Sequence, residues 1–370
     1  MAGILEIWGD RKEVKIYFSA MNLLDANYLP QQINSGWLLT GYSLNELELL
    51  ARPQRLILPI CSLGTSVREL AELGGLVLPP LYHEALDDGL KRPMLERIRE
   101  CFPFYLGTGR RGENSIQLEV VELPAVSPEP VQCEIACFSV DTAVEEHGPH
   151  LPLMTDTLQS YGVLQALADA DNSLTLAPPV EYGQLTWGLP FGFSIDLTPP
   201  LVTRYVTGFM DAILNWCSPQ AVYVVDVHGS IVHRNAIQAG MAASRCKVSA
   251  FRWLHDPLVE FAGDRGDQHA GAVETALIEY LNPALLNSEW WQFRRDELIE
   301  QQMDLDTAIR LSSDMPSFIA HVEEQGSNGI VGAIENYPSL DAEEMFGRMV
   351  AVAREDIIQL KRRLAAGVLA

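Results

Sequence analysis

Positive charge is what this sequence has least of: 26 Lys and Arg stand against 49 Asp and Glu, a formal net charge of −23. A field of that sign repels phosphate backbones and anionic lipid, which argues against nucleic-acid and membrane-surface roles. Long apolar runs are missing too. No stretch reaches the roughly 18 uninterrupted apolar residues of a membrane span. The start, MAGILEIWGDRKEVK, has neither the basic residues nor the apolar stretch of a leader. These absences predict a cytoplasmic protein. Cysteine is sparse: Cys61, Cys101, Cys133, Cys137, Cys217 and Cys246 include no set of closely spaced pairs such as a zinc knuckle or redox centre uses. Reduced, mostly buried thiols are the expectation.

What remains is the composition of a globular protein, 48% hydrophobic and 20% charged, and 370 residues suit one large unit or two smaller ones. Residues 54–60 read as a buried strand, 66–73 as a helix and 75–82 as a second strand ending in a Pro-Pro break. Three prolines within 124–131 mark a linker and place a boundary between an N-terminal α/β region, 1–125, and a larger unit, 126–370. Beyond it strands are expected at 134–140, 173–180 and 221–227, and helices at 156–169, 200–216, 270–281 and 341–365. The run Ala221-Val-Tyr-Val-Val-Asp-Val227 is β-branched without alternation, as a strand covered on both faces would be. The β-α alternation predicts an α/β layered fold with a mostly parallel sheet. A short echo links Leu76-Val-Leu-Pro-Pro-Leu-Tyr82 to Leu174-Thr-Leu-Ala-Pro-Pro-Val180, so the N-terminal region is a candidate degenerate, metal-free half-copy of the second unit.

The densest chemistry lies in Glu145-Glu-His-Gly-Pro-His-Leu-Pro-Leu-Met-Thr-Asp156. Singly, adjacent glutamates suit a solvated face, and Asp156 suits a helix cap. Together they read differently. Glu145 and His147 leave the same side of an extended backbone. Gly148 and Pro149 then turn the chain so that Asp156 can return to them. Carboxylate, imidazole, carboxylate is a ligand set for Zn²⁺ or Mn²⁺, and one bridging Asp could hold two such ions. His228 lies just past the expected central strand, where open α/β sheets place their sites. His269 and Glu274 open a helix, and the pair can face one site only if His269 projects from the preceding loop.

Glu145-x-His147-Gly148-Pro149-His150-Leu151-Pro152-Leu153 with Thr155-Asp156 resembles the signature of the creatininase family, the creatinine amidohydrolases. Asp226-Val-His228-Gly229 is similar to that family's Asn-Gly-His-Gly segment, and His269-Ala-Gly271 with Glu274-Thr275 to its His-Ala-Gly-x-x-Glu-Thr motif. Gly329-Ile-Val-Gly332 followed by Ala342-Glu-Glu-Met-Phe-Gly347 is similar to its C-terminal pattern. The motifs keep the family's order across roughly residues 132–362.

The resemblance implies an α/β/α sandwich and a metal-dependent hydrolase of a non-standard amide or other C–N bond. Two divalent ions per chain are implied, zinc or manganese, with iron as a further option. Glu145, Asp156 and His228 would hold one ion, and His147 and Asp156 the other. The family's name-giving enzyme adds a glutamate two residues after the strand-end histidine, where this chain has Ser230. Glu274 is assigned to that vacancy, with His233 as the fallback. His269 is the expected general acid. Tyr182, Trp187 and Ser230 are the expected substrate contacts. Around the substrate pocket the chain departs from the family, with Arg265 and Gln268 in place of Trp and Glu and an insertion, Ile231 to Arg234, before Asn235. Creatinine specificity therefore does not follow. The expected substrate is a small molecule or a modified peptide, the expected assembly a homo-oligomer. The rival readings are a peptidase trimming a modified peptide and a non-catalytic scaffold of the same fold.

Overall fold

The computed structural model describes residues 5–8, 13–16, 55–65, 76–105, 117–126, 133–191, 194–263, 269–286 and 288–367. The helix expected at 66–73, together with Arg265 and Gln268, lies outside these residues. A short antiparallel hairpin, β1 (Leu5–Trp8) with β2 (Glu13–Ile16), precedes two parallel sheets.

The first sheet is built on β3 (Arg55–Cys61). It pairs with β4 (Leu76–Val77) and β5 (Leu81–Tyr82) on one side and β6 (Gln117–Glu122) on the other. Helix α1 (Asp88–Tyr105) makes the crossover to β6. The second sheet has β7 (Ile135–Ser139), β8 (Leu174–Leu176), β9 (Ala221–Asp226) and β10 (Ser249–Trp253) in the order β10-β9-β7-β8, every pair parallel. Every residue of β7 and β9 is buried. That is the burial of strands covered on both faces, and it explains their lack of polar alternation.

Helices α2 (Thr155–Ala170), α3 (Pro199–Cys217) and α4 (Ile231–Ala243) connect these strands, and α5 (Ala272–Leu281) follows. Four short helices come next: α6 (Ser288–Phe293), α7 (Arg295–Gln301), α8 (Leu305–Leu311) and α9 (Met315–Gln325). The chain closes on α10 (Ala342–Ala365), whose Met345, Met349, Ala353, Ile357 and Leu360 form one buried stripe at helical spacing. Helices α2, α5 and α10 pack together on one side of the sheet and α3 packs with α4 on the other. The result is the α/β/α sandwich that the family resemblance implies, built on the mostly parallel sheet that the β-α alternation predicts. No helix among the described residues is long and apolar enough to cross a membrane.

The two sheets share one continuous apolar core. At the seam the Tyr82 N–H donates to the Tyr205 hydroxyl at 3.0 Å, the Tyr182 hydroxyl donates to the Pro79 carbonyl at 2.7 Å, and Arg97 pairs with Asp196. The sheets also share a register. Leu56 and Ile57 face Leu76 and Val77, then Ile60 faces Leu81, one residue out of step. Ala136 and Cys137 face Thr175 and Leu176, then Val140 faces Val180 with the same slip. In each case the slip spans a Pro-Pro pair, Pro79-Pro80 and Pro178-Pro179. Proline supplies no N–H to a ladder. The strand expected over 173–180 is therefore broken into β8 and an isolated bridge at Val180.

The chain leaves β7 for β8 in one direction and returns past it to β9 in the other. The crevice beyond the carboxyl ends of β7 and β9 is therefore the topological switch point, where ligands of open α/β sheets bind.

Candidate metal centre

Into that crevice run two loops and one helix start. The loop after β7 is buried along its length. Gly148 sits at φ 67°, and a Cβ there would lie 2.9 Å from Ile330 and 3.0 Å from His150, so this turn requires glycine. Having turned, the chain places Asp156 in the first turn of α2, where the helix dipole favours a carboxylate. Ligand atoms of Glu145, His147 and Asp156 all lie within 4.8 Å of one another, and all three residues are buried.

The two oxygens of Asp156 are divided. Oδ1 lies 3.3 Å from His147 Nε2, and Oδ2 lies 3.4 Å from His228 Nδ1. Glu145 Oε2 is 3.2 Å from the same His228 nitrogen. On the other side, Glu274 Oε2 is 3.9 Å from His147 Nε2, and His147, His269 and Glu274 form a second compact group. The structure thus brings together Glu145, His147, Asp156, His228, Glu274 and His269.

Each ring is oriented from behind. His147 Nδ1 donates to the Glu145 carbonyl at 3.0 Å, which turns Nε2 inward, where it is buried without a hydrogen-bond partner. His228 Nε2 donates to the Gln184 carbonyl at 3.1 Å, which turns Nδ1 toward the carboxylates. Backbone partners that fix tautomer and aim are typical of metal-ligating histidines. A buried imidazole nitrogen 3.3 Å from one carboxylate and 3.9 Å from a second is a donor set that suits a divalent cation.

His269 projects from the segment before α5. That segment bridges to Val331, with N···O distances of 3.0 and 2.9 Å between the two backbones. Ala270, at φ 53°, then swings the chain into the helix, and its N–H donates to Glu274 Oε2 at 2.5 Å. This left-handed alanine is what lets residues five apart face one site. Phe191 stacks on the His269 ring at 6.3 Å, and His147 lies 4.4 Å from it.

The charges follow the geometry. Burial alone would raise the Asp156 and Glu145 carboxyls. The imidazoles of His147 and His228 around Asp156, and of His228 beside Glu145, outweigh it and hold both low. Burial would likewise depress His147, but Asp156, Glu274 and Glu145 hold it up at about 9. His228 is raised in the same way by Glu145 and Asp156. His269 goes the other way, to about 4, through burial and the nearby charge of His147.

Several expectations change. Both ring nitrogens of His233 are occupied, Nε2 by the Val140 carbonyl at 2.9 Å and Nδ1 by the Gln184 N–H at 3.1 Å, so it is no fallback ligand. Tyr182 is 1% exposed with its hydroxyl on Pro79, which puts it in the seam between sheets rather than against a substrate. Ser230 caps α4, accepting from the His233 N–H at 3.3 Å and donating to Gln184 Oε1 at 2.8 Å. Its hydroxyl is already engaged at both ends. Trp187 is 43% exposed, on the loop that also carries Gln184. Two residues escaped the sequence reading. Thr142 Oγ1 lies 2.7 Å from Asp156 Oδ2 and also contacts Glu145 Oε2, and Gln184 orients His228. The one available signal for Thr142 was its place in the loop just past β7.

A sequence model described as creatininase, creatinine amidohydrolase, matches residues 141–356. The chain belongs to the creatininase family. Among family members, a mycofactocin precursor peptide peptidase of Mycolicibacterium smegmatis is 25% identical over 217 residues, which cover 56% of this chain and 78% of that protein. Its counterpart from Mycobacterium tuberculosis is 26% identical over 159 residues, 40% of this chain and 60% of that one. A solved creatinine amidohydrolase superposes with TM-score 0.43 at 18% identity, covering 60% of this chain and 88% of its own. The matched creatininase segment begins at Asp141.

Proposed function

We propose that this chain is a dinuclear metal-dependent hydrolase of an amide or other C–N bond. Glu145, Asp156 and His228 would hold one divalent ion, zinc or manganese, and His147, Asp156 and Glu274 the other. The observation that carries this reading is the division of the Asp156 carboxylate between two imidazoles on opposite sides. Bound there, such ions lower the pKa of a water and polarise a carbonyl.

The chain's own residues supply positioning and proton transfer. Thr142 donates its one hydroxyl hydrogen within the Glu145–Asp156 pair and fixes their spacing. His269 donates from Nε2 to the Glu146 carbonyl, which leaves Nδ1 bare and 3.7 Å from Glu145 Oε1. With its ordinary pKa lowered to about 4, this imidazole is neutral at neutral pH. Nδ1 faces the site, and His269 is the group assigned to protonate the departing nitrogen. Phe191 keeps one face of that ring dry.

A second reading, trimming of a modified peptide, is favoured by the relatives, which are named as peptidases of a precursor peptide. The two readings share one chemistry and differ in substrate size. Hydrolysis assays of the metal-loaded protein on cyclic amides, N-acyl amides and short peptides separate them. Stoichiometric metal with no hydrolysis of any member would instead favour the scaffold reading.

The chain divides at the proline-rich stretch into an N-terminal region, 1–125, and a catalytic unit, 126–370. The first is a metal-free half-copy of the second. The shared register with its slip at Pro-Pro supports this. Register equivalence sets Ser62 opposite Thr142, and the Ser62 hydroxyl accepts from the Val126 N–H at 2.9 Å instead of holding a carboxylate.

A further inference from the structure

At the strand-start end of the catalytic sheet, away from the metal cluster, two thiols face each other. Cys133 lies just before β7, and Cys217 is the last residue of α3, just before β9. Their Sγ atoms are 3.3 Å apart. The backbones that carry them are pinned side by side, because the N–H groups of Gln220 and Ala221 both donate to the Glu134 carbonyl, at 2.9 and 3.2 Å. Cys133 is half-buried and Cys217 is buried, so a solute meets Cys133 first.

We propose that Cys133 and Cys217 are a reversible dithiol–disulfide pair, with Cys133 the thiol oxidised by a peroxide and Cys217 the thiol that resolves it. In the first step the Cys133 thiolate displaces hydroxide from hydrogen peroxide, giving a sulfenic acid; the hydroxide takes up the proton that the thiol had lost and leaves as water. In the second step the Cys217 sulfur attacks the sulfenic sulfur, an S–S bond forms, and a second water leaves with the Cys217 proton. Two thiols lose two electrons and the peroxide gains them. The hydrogen bond with Cys217 draws the Cys133 thiol down to about 7, against burial, so thiolate is available at neutral pH.

The bond would join residues 84 apart in sequence. Cys133 follows the proline-rich stretch, and α3 carries Tyr205, on which the N-terminal sheet is docked. Closing the pair would clasp the junction of the two units to that docking helix. It would also remove chain entropy from the unfolded state. The pair lies at strand starts while the metal ligands lie at strand ends, so metal content should not change with its redox state.

The test treats the full-length protein with a few equivalents of hydrogen peroxide, alkylates the remaining thiols and maps peptides without reduction. The expected result is a Cys133–Cys217 linked peptide that dithiothreitol releases. A higher melting temperature than the reduced protein should accompany it, and both changes should be absent in C133S. C217S should leave Cys133 as a dead-end sulfenic or sulfinic acid. Cys133 overoxidised in the native chain with Cys217 still alkylatable, Cys133 linked to Cys137 instead, or neither thiol altered would each overturn the proposal. Because the Cys133 side chain is half-exposed, C133S keeps the test valid if C217S fails to fold.

Discussion

His147 and Asp156 meet with 3.3 Å between Nε2 and Oδ1, and the imidazole is held in that pose from behind by the Glu145 carbonyl. Both side chains are buried, so water cannot screen the contact. The ring carries a proton here, its affinity for that proton raised by the surrounding carboxylates to a pKa of about 9. A divalent ion in the same place would have to displace it.

Metal uptake should therefore release protons. In the metal-free protein His147 and His228 are both raised, so at neutral pH both are charged. Binding at pH 7 should expel about two protons per chain. Titration calorimetry in buffers of different ionisation enthalpy measures that number. The sign is fixed: affinity should climb as pH rises toward 9 and fall as it drops. Binding without proton release would contradict the assigned ligands.

Thr142 contacts both carboxylates, so Thr142→Val should loosen the site without emptying the core. Metal affinity should drop by about 10- to 100-fold, the usual penalty for losing a hydrogen bond to a ligand. Competition against a chelator reads the affinity, and near-ultraviolet circular dichroism checks the fold. An unchanged affinity would reduce Thr142 to a packing residue.

Glu274 and His269 belong to one motif and should fail differently. Glu274→Gln keeps shape but removes a negative charge beside His147, so metal occupancy should fall. His269→Asn should keep both ions and slow turnover by about 10²–10⁴-fold if proton transfer is its task. Metal content and rate, measured on both variants together, decide this. The reverse pattern would exchange the two roles and make His269 a ligand, which its grouping with His147 and Glu274 would then explain.

Glu145, His147 and Asp156 are legible in the sequence because one short segment carries all three with a turn between them. Apolar pattern places His228 at a strand end and Glu274 at a helix start, but their expected roles as ligands come only from the family resemblance. Thr142 and Gln184 are not legible, since a lone hydroxyl and a backbone carbonyl leave no pattern of residue types. Tyr182 misleads for a related reason. It lies two residues after the Val180 bridge, but which way its ring points is set by the neighbouring sheet, a contact distant in sequence. Strand β10 escapes because it is an edge strand, half-buried at every position, without a run of apolar residues. The joined core of the two sheets is hidden from any local reading, and the proline-rich stretch suggests more independence than the packing allows.

The seam makes its own prediction. Tyr182→Phe leaves the buried Pro79 carbonyl without its donor and should destabilise the fold by about 1–3 kcal/mol. Metal content should stay at the native level. Thermal unfolding beside elemental analysis separates a seam residue from one that serves the site. A loss of metal with unchanged stability would return Tyr182 to the site.

One carboxylate, Asp156, is proposed to join two ions. Elemental analysis of the purified chain beside Asp156→Ala, with the variant's fold checked by circular dichroism, measures it most directly. Two divalent ions per native chain are expected, and fewer than one in the folded variant. Two ions retained in the variant would contradict that bridge.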